Sequence, residues 1–153
     1  MRIAIGADHG GVPLNEHVIE MLRAGGHDVR DFGTHDGTQP DDYPDYALLV
    51  GEVVRRGDVD IGILICGSGI GASVAANKLR GVRAAMCTDT YSGHQSREHD
   101  DCNVLCLGAR ITGVELALDI VRAFINARFT GEERHRRRLA KVKAIEERES
   151  GSP

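Results

Sequence analysis

The sequence predicts a three-layer α/β/α sandwich: a doubly wound, five-stranded parallel sheet of Rossmann-like type, with one extra helix at the C-terminus. Three observations carry this. Short apolar runs alternate with longer amphipathic stretches along the chain, the pattern of successive βα units. Several short runs, such as Ile61-Gly62-Ile63-Leu64-Ile65, have no polar alternation, as strands buried on both faces do not. Many of the 19 glycines fall where an apolar run ends, where a chain turns tightly or brings its backbone against a ligand. The 153 residues suit one domain, expected over residues 1–149, with 150–153 as a flexible tail.

Arg2–Ala7 reads as the first strand. The stretch after it places Leu14, Val18, Met21 and Leu22 on one helical face, and Gly25-Gly26 ends it. Asp28–Phe32 suits a short second strand. A polar stretch from Gly33 to Asp42 then leads into Tyr43-Pro44 and a helix carrying Tyr46, Leu49, Val50 and Val53. After the third strand, Val82–Cys87 and Val104–Leu107 repeat its apolar character, each followed by a turn and a helical stretch. Val114 to Ala127 is the most regular helix, offering Leu118, Val121, Phe124 and Ile125 to the core. Beyond Gly131 a charged helix puts Leu139, Val142 and Ile145 on one side. Parallel pairing of such units requires right-handed crossovers, and ligands of such folds bind at the carboxyl ends of strands near a switch in strand order.

Composition narrows the function classes. With 41% hydrophobic and 27% charged residues the chain is too apolar to be disordered. Nineteen Lys and Arg against 23 Asp and Glu give a net charge of −4, which argues against general binding to nucleic acid or an anionic membrane. No apolar run approaches the ~20 residues that span a bilayer. The N-terminus reaches Asp8-His9 too soon for a signal peptide, so a cytoplasmic location is expected, with Cys66, Cys87, Cys102 and Cys106 as reduced thiols.

The strand ends hold the chemistry. Asp8 and His9, after the first strand, either hold a substrate hydroxyl and an anion or serve as a cap and a surface residue. Position alone leaves both open. Cys66-Gly67-Ser68-Gly69-Ile70-Gly71 has the composition of an anion-binding turn opening a helix, with backbone N–H groups facing outward. Cys66 just before it suits either a nucleophile or base, or a small core residue. Gly67 to Ala72 also fits G-x-G-x-x-G/A, with Asp89 twenty residues past Gly69, which keeps a dinucleotide-dependent oxidoreductase in play. Against it, that fingerprint belongs on the first βα turn, and the chain is short for a cofactor domain plus a substrate domain. His99 has the chemistry of a proton shuttle. His94, His99, Cys102 and Cys106 match no zinc spacing, so no metal is expected. Arg134 and Arg138 are four apart and share a helical face, suiting a phosphate or merely solvent.

In order and spacing, Ala7-Asp8-His9-Gly10, Asp42-Tyr43-Pro44, Ile65 to Gly71, Ala75-Ala76-Asn77-Lys78, Ser96-Arg97-Glu98-His99, Asn103-Val104-Leu105, Leu107-Gly108-Ala109-Arg110 and Arg134-His135…Arg138 closely resemble the ribose-5-phosphate isomerase B family, from Arg2 to about Glu147. The resemblance implies cofactor-free, metal-free interconversion of ribose 5-phosphate and ribulose 5-phosphate, with related allose- and galactose-phosphate isomerases as alternatives. It implies Cys66 as the base that moves a proton between C2 and C1 through a cis-enediolate. Backbone donors of Gly67, Ser68, Gly69, Ile70 and Gly71 would stabilise the oxyanion. His99 would open the furanose ring, with Tyr43 close by, and Asp8 would hold sugar hydroxyls. His9, Arg110, Arg134 and Arg138 would grip the phosphate. It further implies a homodimer or homotetramer with active sites shared between subunits, His99 arriving from a partner. Asp100 stands where many relatives have Asn, and a carboxylate only accepts where an amide donates. A non-catalytic phosphosugar-binding module is the remaining rival, and pure binding would not require Cys66.

Overall fold

The computed structural model describes residues 1–151, apart from the side chain of Ser150. The elements are β1 (Arg2–Ala7), α1 (Val12–Ala24), β2 (Asp28–Asp31), α2 (Tyr43–Arg55), β3 (Ile61–Cys66), α3 (Ile70–Ala76), β4 (Ala84–Met86), α4 (Thr90–Asp100), β5 (Val104–Gly108), α5 (Val114–Asn126) and α6 (Glu133–Ser150). The expected tail at 150–153 overlaps the end of α6, and its last two residues lie outside those described.

Each strand pairs parallel to its neighbours, in the order β2-β1-β3-β5-β4. Successive connections leave in opposite directions from β1 and β3, so the switch in strand order lies between those two strands. The register there brings Ala7 beside Ile65 and Cys66 beside Gly108. The residues that follow β1, β3 and β5 therefore meet at one point of the carboxyl edge.

Alternation along the strands sorts the core into two layers. Ile3, Ile5, Ile61, Ile63, Ile65, Leu105 and Leu107 face α1 and α5, meeting Leu14, Val18, Leu22, Ile120, Val121 and Phe124. Smaller residues, Ala4, Leu64, Val104 and Cys106, face α2 and α3 through Ala47, Val50, Val54, Ala72 and Ala76. Each fully buried Ile or Leu contributes roughly 1.5–3 kcal/mol relative to exposure. β3 and β5 are buried along their whole length and β1 in all but its first residue, so the sheet is the well-packed part of the molecule.

Two expectations need correction. The fourth strand is shorter than Val82–Cys87, and its three residues are only half-buried. It is an edge strand, paired on one side only, so it lacks the second neighbour that covers β3 and β5. Leu49, read with Tyr46, Val50 and Val53 as an apolar residue of the second helix, is exposed, as are Val142 and Ile145 of α6. α6 touches the rest of the chain mainly near its start, where His135 packs against α4, and through Glu146, whose carboxylate accepts from Gly81 N–H at 2.9 Å. Among the described residues no helix is long and apolar enough to cross a membrane.

Candidate active site

At the switch point Asp8, Tyr43, Cys66, Gly67, Ser68, Gly71, Arg110 and Ile111 line a cavity of about 270 Å³. Each reaches it for a local reason. Cys66 is the last residue of β3, with only 5% of its surface exposed, and Gly69 N–H donates to its Sγ at 3.1 Å. Gly69 has φ +79°, and a Cβ there would lie 2.9 Å from the Leu107 backbone, so only glycine makes the turn that aims this N–H at sulfur. Gly71 lets the Tyr43 ring close over the loop, since a Cβ would stand 2.6 Å from the ring. Tyr43 opens α2 and Pro44 follows it, in the first turn where a missing N–H costs nothing. Arg110 follows β5 and lies against Gly67, with its own N–H donating to Gly67 C=O at 3.0 Å.

Asp8 is buried, 7% exposed, and its Oδ1 accepts from Gly11 N–H at 3.0 Å. Burial pushes its carboxyl up from the ordinary value, more than the Gly11 donor and nearby His9 draw it down. It closes the turn before α1 and is not the residue at the helix N-cap, which is Gly11. Next to it, His9 Nδ1 lies 2.6 Å from Asp41 Oδ1, and Tyr46 hydroxyl donates to Asp41 Oδ2 at 2.6 Å. Asp41 was not legible in the sequence as a site residue. It sits among several aspartates in a polar connection, 32 residues from the histidine it holds.

Asp8, Tyr43, Cys66, Gly67, Ser68, Gly71 and Arg110 are thus brought together, with Gly69 beside the thiol, while His9 follows Asp8 and is held by Asp41. Ile70 is exposed at the start of α3. His99, Asp100, Arg134 and Arg138 are elsewhere. α4 leaves the carboxyl end of β4 and runs back to the start of β5, so His99 and Asp100 in its last turn lie at the amino edge. Arg83, just ahead of β4, confirms this by donating from Nε to the Asp100 and Asp101 carbonyls. The six residues of β3 separate the two edges by roughly 17–20 Å.

At that second place His99 stacks on His135, ring centroids 4.1 Å apart and planes 22° from parallel. Gln95 Nε2 is 3.2 Å from His99 Nδ1, and Glu98 Oε2 is 3.5 Å from its Nε2. The stack sets α6 beside α4, and α6 carries Arg134 and Arg138. Within one chain there are thus two separate clusters, one holding thiol, carboxyl and glycine turn, the other holding the His99–His135 pair next to the start of the arginine-bearing α6.

Asp89, the ribose-binding candidate of the dinucleotide reading, accepts from Ser92 N–H at 2.7 Å as the N-cap of α4. β5 also stands between its strand and β3, whereas the fingerprint needs neighbouring strands. Among the described residues His94, His99, Cys102 and Cys106 do not converge. The cluster with metal-ligand spacing is Asp8, His9 and Asp41, whose last two members are hydrogen-bonded to each other. A larger groove of about 980 Å³ runs beside α6 between Arg80, Arg83, Leu139, Val142 and Lys143. Neither cysteine nor histidine lines it.

A doubly wound sheet with a thiol, a carboxyl and a glycine turn at its switch point is an α/β frame suited to a small polar ligand. Residues 3–142 match the family model described as Ribose/Galactose Isomerase. The chain is 46% identical to ribose-5-phosphate isomerase B of Escherichia coli over 96% of its length and 97% of the relative's. It is 39% identical to D-erythrulose-4-phosphate isomerase of Pectobacterium atrosepticum, over 86% of each chain. The structure of Clostridium thermocellum ribose-5-phosphate isomerase B superposes with a TM-score of 0.94 at 49% identity, covering 97% of this chain and 99% of that one. The chain belongs to the ribose/galactose isomerase family, and is an isomerase of the ribose-5-phosphate isomerase B type.

Proposed function

We propose that the protein interconverts D-ribose 5-phosphate and D-ribulose 5-phosphate, in a single domain over residues 1–149 and at a site completed by a second copy of the chain. The observation that carries this is Cys66, a thiol at the end of a buried strand that opens onto a cavity shared with Asp8, Tyr43 and Arg110. In the open-chain aldose, Cys66 sulfur takes the proton from C2 while the C1 carbonyl becomes an enediolate oxygen. The sulfur then returns that proton to C1, and C2 becomes the ketose carbonyl as its hydroxyl proton passes to O1. Backbone N–H groups of the Gly67–Gly71 turn stabilise the enediolate oxygens, apart from Gly69 N–H and Ile70 N–H, which donate to Cys66 Sγ and Ser68 Oγ. Asp8 holds sugar hydroxyls.

His9 and Arg110 hold the phosphate from one chain, and Arg134 and Arg138 hold it from the other. Remote binding energy of this kind keeps the reacting carbons in place. His99 of the second copy opens the furanose ring by moving a proton between ring oxygen and anomeric hydroxyl. The relative that acts on D-erythrulose 4-phosphate favours a second reading, a shorter aldose phosphate. Tetrose phosphates cannot close a furanose through their phosphorylated end, so His99 would then be idle.

The test is Cys66→Ala. Isomerisation of ribose 5-phosphate should fall by at least about 10³-fold while substrate affinity, by calorimetry, stays within a few-fold. Retained turnover would remove Cys66 as the base. Turnover on a panel of ribose 5-phosphate, allose 6-phosphate and erythrose 4-phosphate ranks the substrates.

A further inference from the structure

The carboxylate of Asp41 belongs to no role described above, yet it takes part in three hydrogen bonds beside the site. Its Oδ1 lies 2.6 Å from His9 Nδ1 and accepts from His9 N–H at 2.8 Å. Its Oδ2 accepts from the Tyr46 hydroxyl at 2.6 Å. Three donors from β1's end and from α2 therefore converge on one carboxylate at the close of the irregular β2–α2 connection.

The proton between His9 and Asp41 can be assigned. An oxygen and a ring nitrogen 2.6 Å apart, both with lone pairs facing, would repel, so one of them carries hydrogen. Burial works against a charged Asp41, but the His9 N–H, the Tyr46 hydroxyl and the His9 ring outweigh it and hold the carboxyl below the usual range. The same carboxylate raises the Tyr46 hydroxyl above its ordinary value. Asp41 is thus ionised near neutral pH, and Nδ1 carries the hydrogen. Asp41 N–H also points at Nδ1, but at 3.3 Å it is the weaker contact and yields to the carboxylate.

We propose that Asp41 is a positioning residue for His9: it locks the ring by its Nδ1–H and leaves Nε2 as the nitrogen offered to the substrate phosphate. This rests on the reading of His9 as a phosphate ligand. An Nε2 that donates to a phosphate oxygen needs its own hydrogen, and the ring is then a cation. Asp41 supplies the balancing charge on the far side, while Tyr46 keeps the carboxylate from turning away. Carboxylate–imidazole pairs orient metal-bound histidines in the same manner, and here the acceptor of the ring's outer hydrogen is an anion.

Asp41→Asn tests it. The amide keeps the shape but loses the charge and offers Nδ1 a neutral partner. The expected result is a KM for ribose 5-phosphate raised about tenfold, with kcat altered less than about threefold. Competitive inhibition by inorganic phosphate should weaken by the same factor, and Asp41→Glu should restore part of it. A merely structural residue would lower thermal stability without moving the inhibition constant. If KM and phosphate inhibition stay unchanged in Asp41→Asn while His9→Ala raises both, the inference is overturned and the role of His9 stands. If His9→Ala changes neither, the reading beneath it falls as well. Should Asp41→Asn not fold, the unsubstituted protein still decides. Nitrogen-15 spectra at pH 8 should show the His9 hydrogen on Nδ1, and a ring protonated only on Nε2 would sink the proposal.

Discussion

At the scale of single residues, the site is built from contacts that a methyl group would break. At Gly71, a Cβ would stand 2.6 Å from Cζ of Tyr43 and 2.9 Å from two further ring atoms. Tyr43 is 40% exposed, so the ring can swing outward and the core need not yield. Gly71→Ala should therefore reduce kcat/KM at least about tenfold while the melting temperature moves by only a few degrees. Unchanged kinetics would show that the ring's place over the loop is irrelevant. Residues of this kind were legible in the sequence because they are contiguous: Cys66 and its glycines announce themselves within six positions. Asp41 was not, because its significance is a relation to His9 across 32 residues, and Asp36, Asp42 and Asp45 offered equally plausible carboxylates.

At the scale of elements, the strands and helices of the sheet were legible because their burial is periodic. β1, β3 and β5 are covered on both sides and read as continuous apolar runs, whereas β4 shares their composition but not their neighbours. Which strand falls at the edge is decided by pairing, and pairing leaves no mark on a segment three residues long. The junction of α4 and α6 was likewise hidden, since it depends on one buried imidazole in an otherwise charged helix. His135 is 2% exposed, and its Nε2 is buried without a hydrogen-bond partner. Burial, then His99, draws its pKa below the ordinary 6.5. Well above pH 6.5 the ring is neutral both folded and unfolded, and it adds nothing to the pH dependence. As pH falls below that value, the unfolded chain takes up a proton that the folded chain refuses, and stability declines until the folded ring also titrates. His135→Phe keeps a stacking surface that does not titrate. Urea midpoints measured at pH 7.5 and pH 5.5 should fall less in this variant than in the unsubstituted chain. Equal losses would mean that His135 titrates as it does in water.

At the scale of the whole molecule, the proposed reaction asks for two groups of residues that one chain holds apart. Cys66 sits at the carboxyl edge of the sheet and His99 at the amino edge, separated by the length of β3. A sheet with apolar residues packed on both faces cannot fold that distance away, and neither edge holds the full set of groups the proposed reaction uses. Two copies related by a twofold axis would meet that demand twice, each lending its imidazole and arginines to the other's thiol. The consequence is a complementation. Cys66→Ala and His99→Asn chains are each expected to be nearly inactive on ribose 5-phosphate. In a hybrid dimer one site combines two damaged halves, and the other combines the intact Cys66 half of one chain with the intact His99 half of the other. Equal co-expression gives hybrids as half of all dimers, so about a quarter of all sites are whole and about a quarter of the unsubstituted activity returns. If both groups served one site within a single chain, every site in the mixture would carry a lesion. Activity no higher than that of either parent would then exclude the shared site, and a monomer in solution with full turnover would do the same.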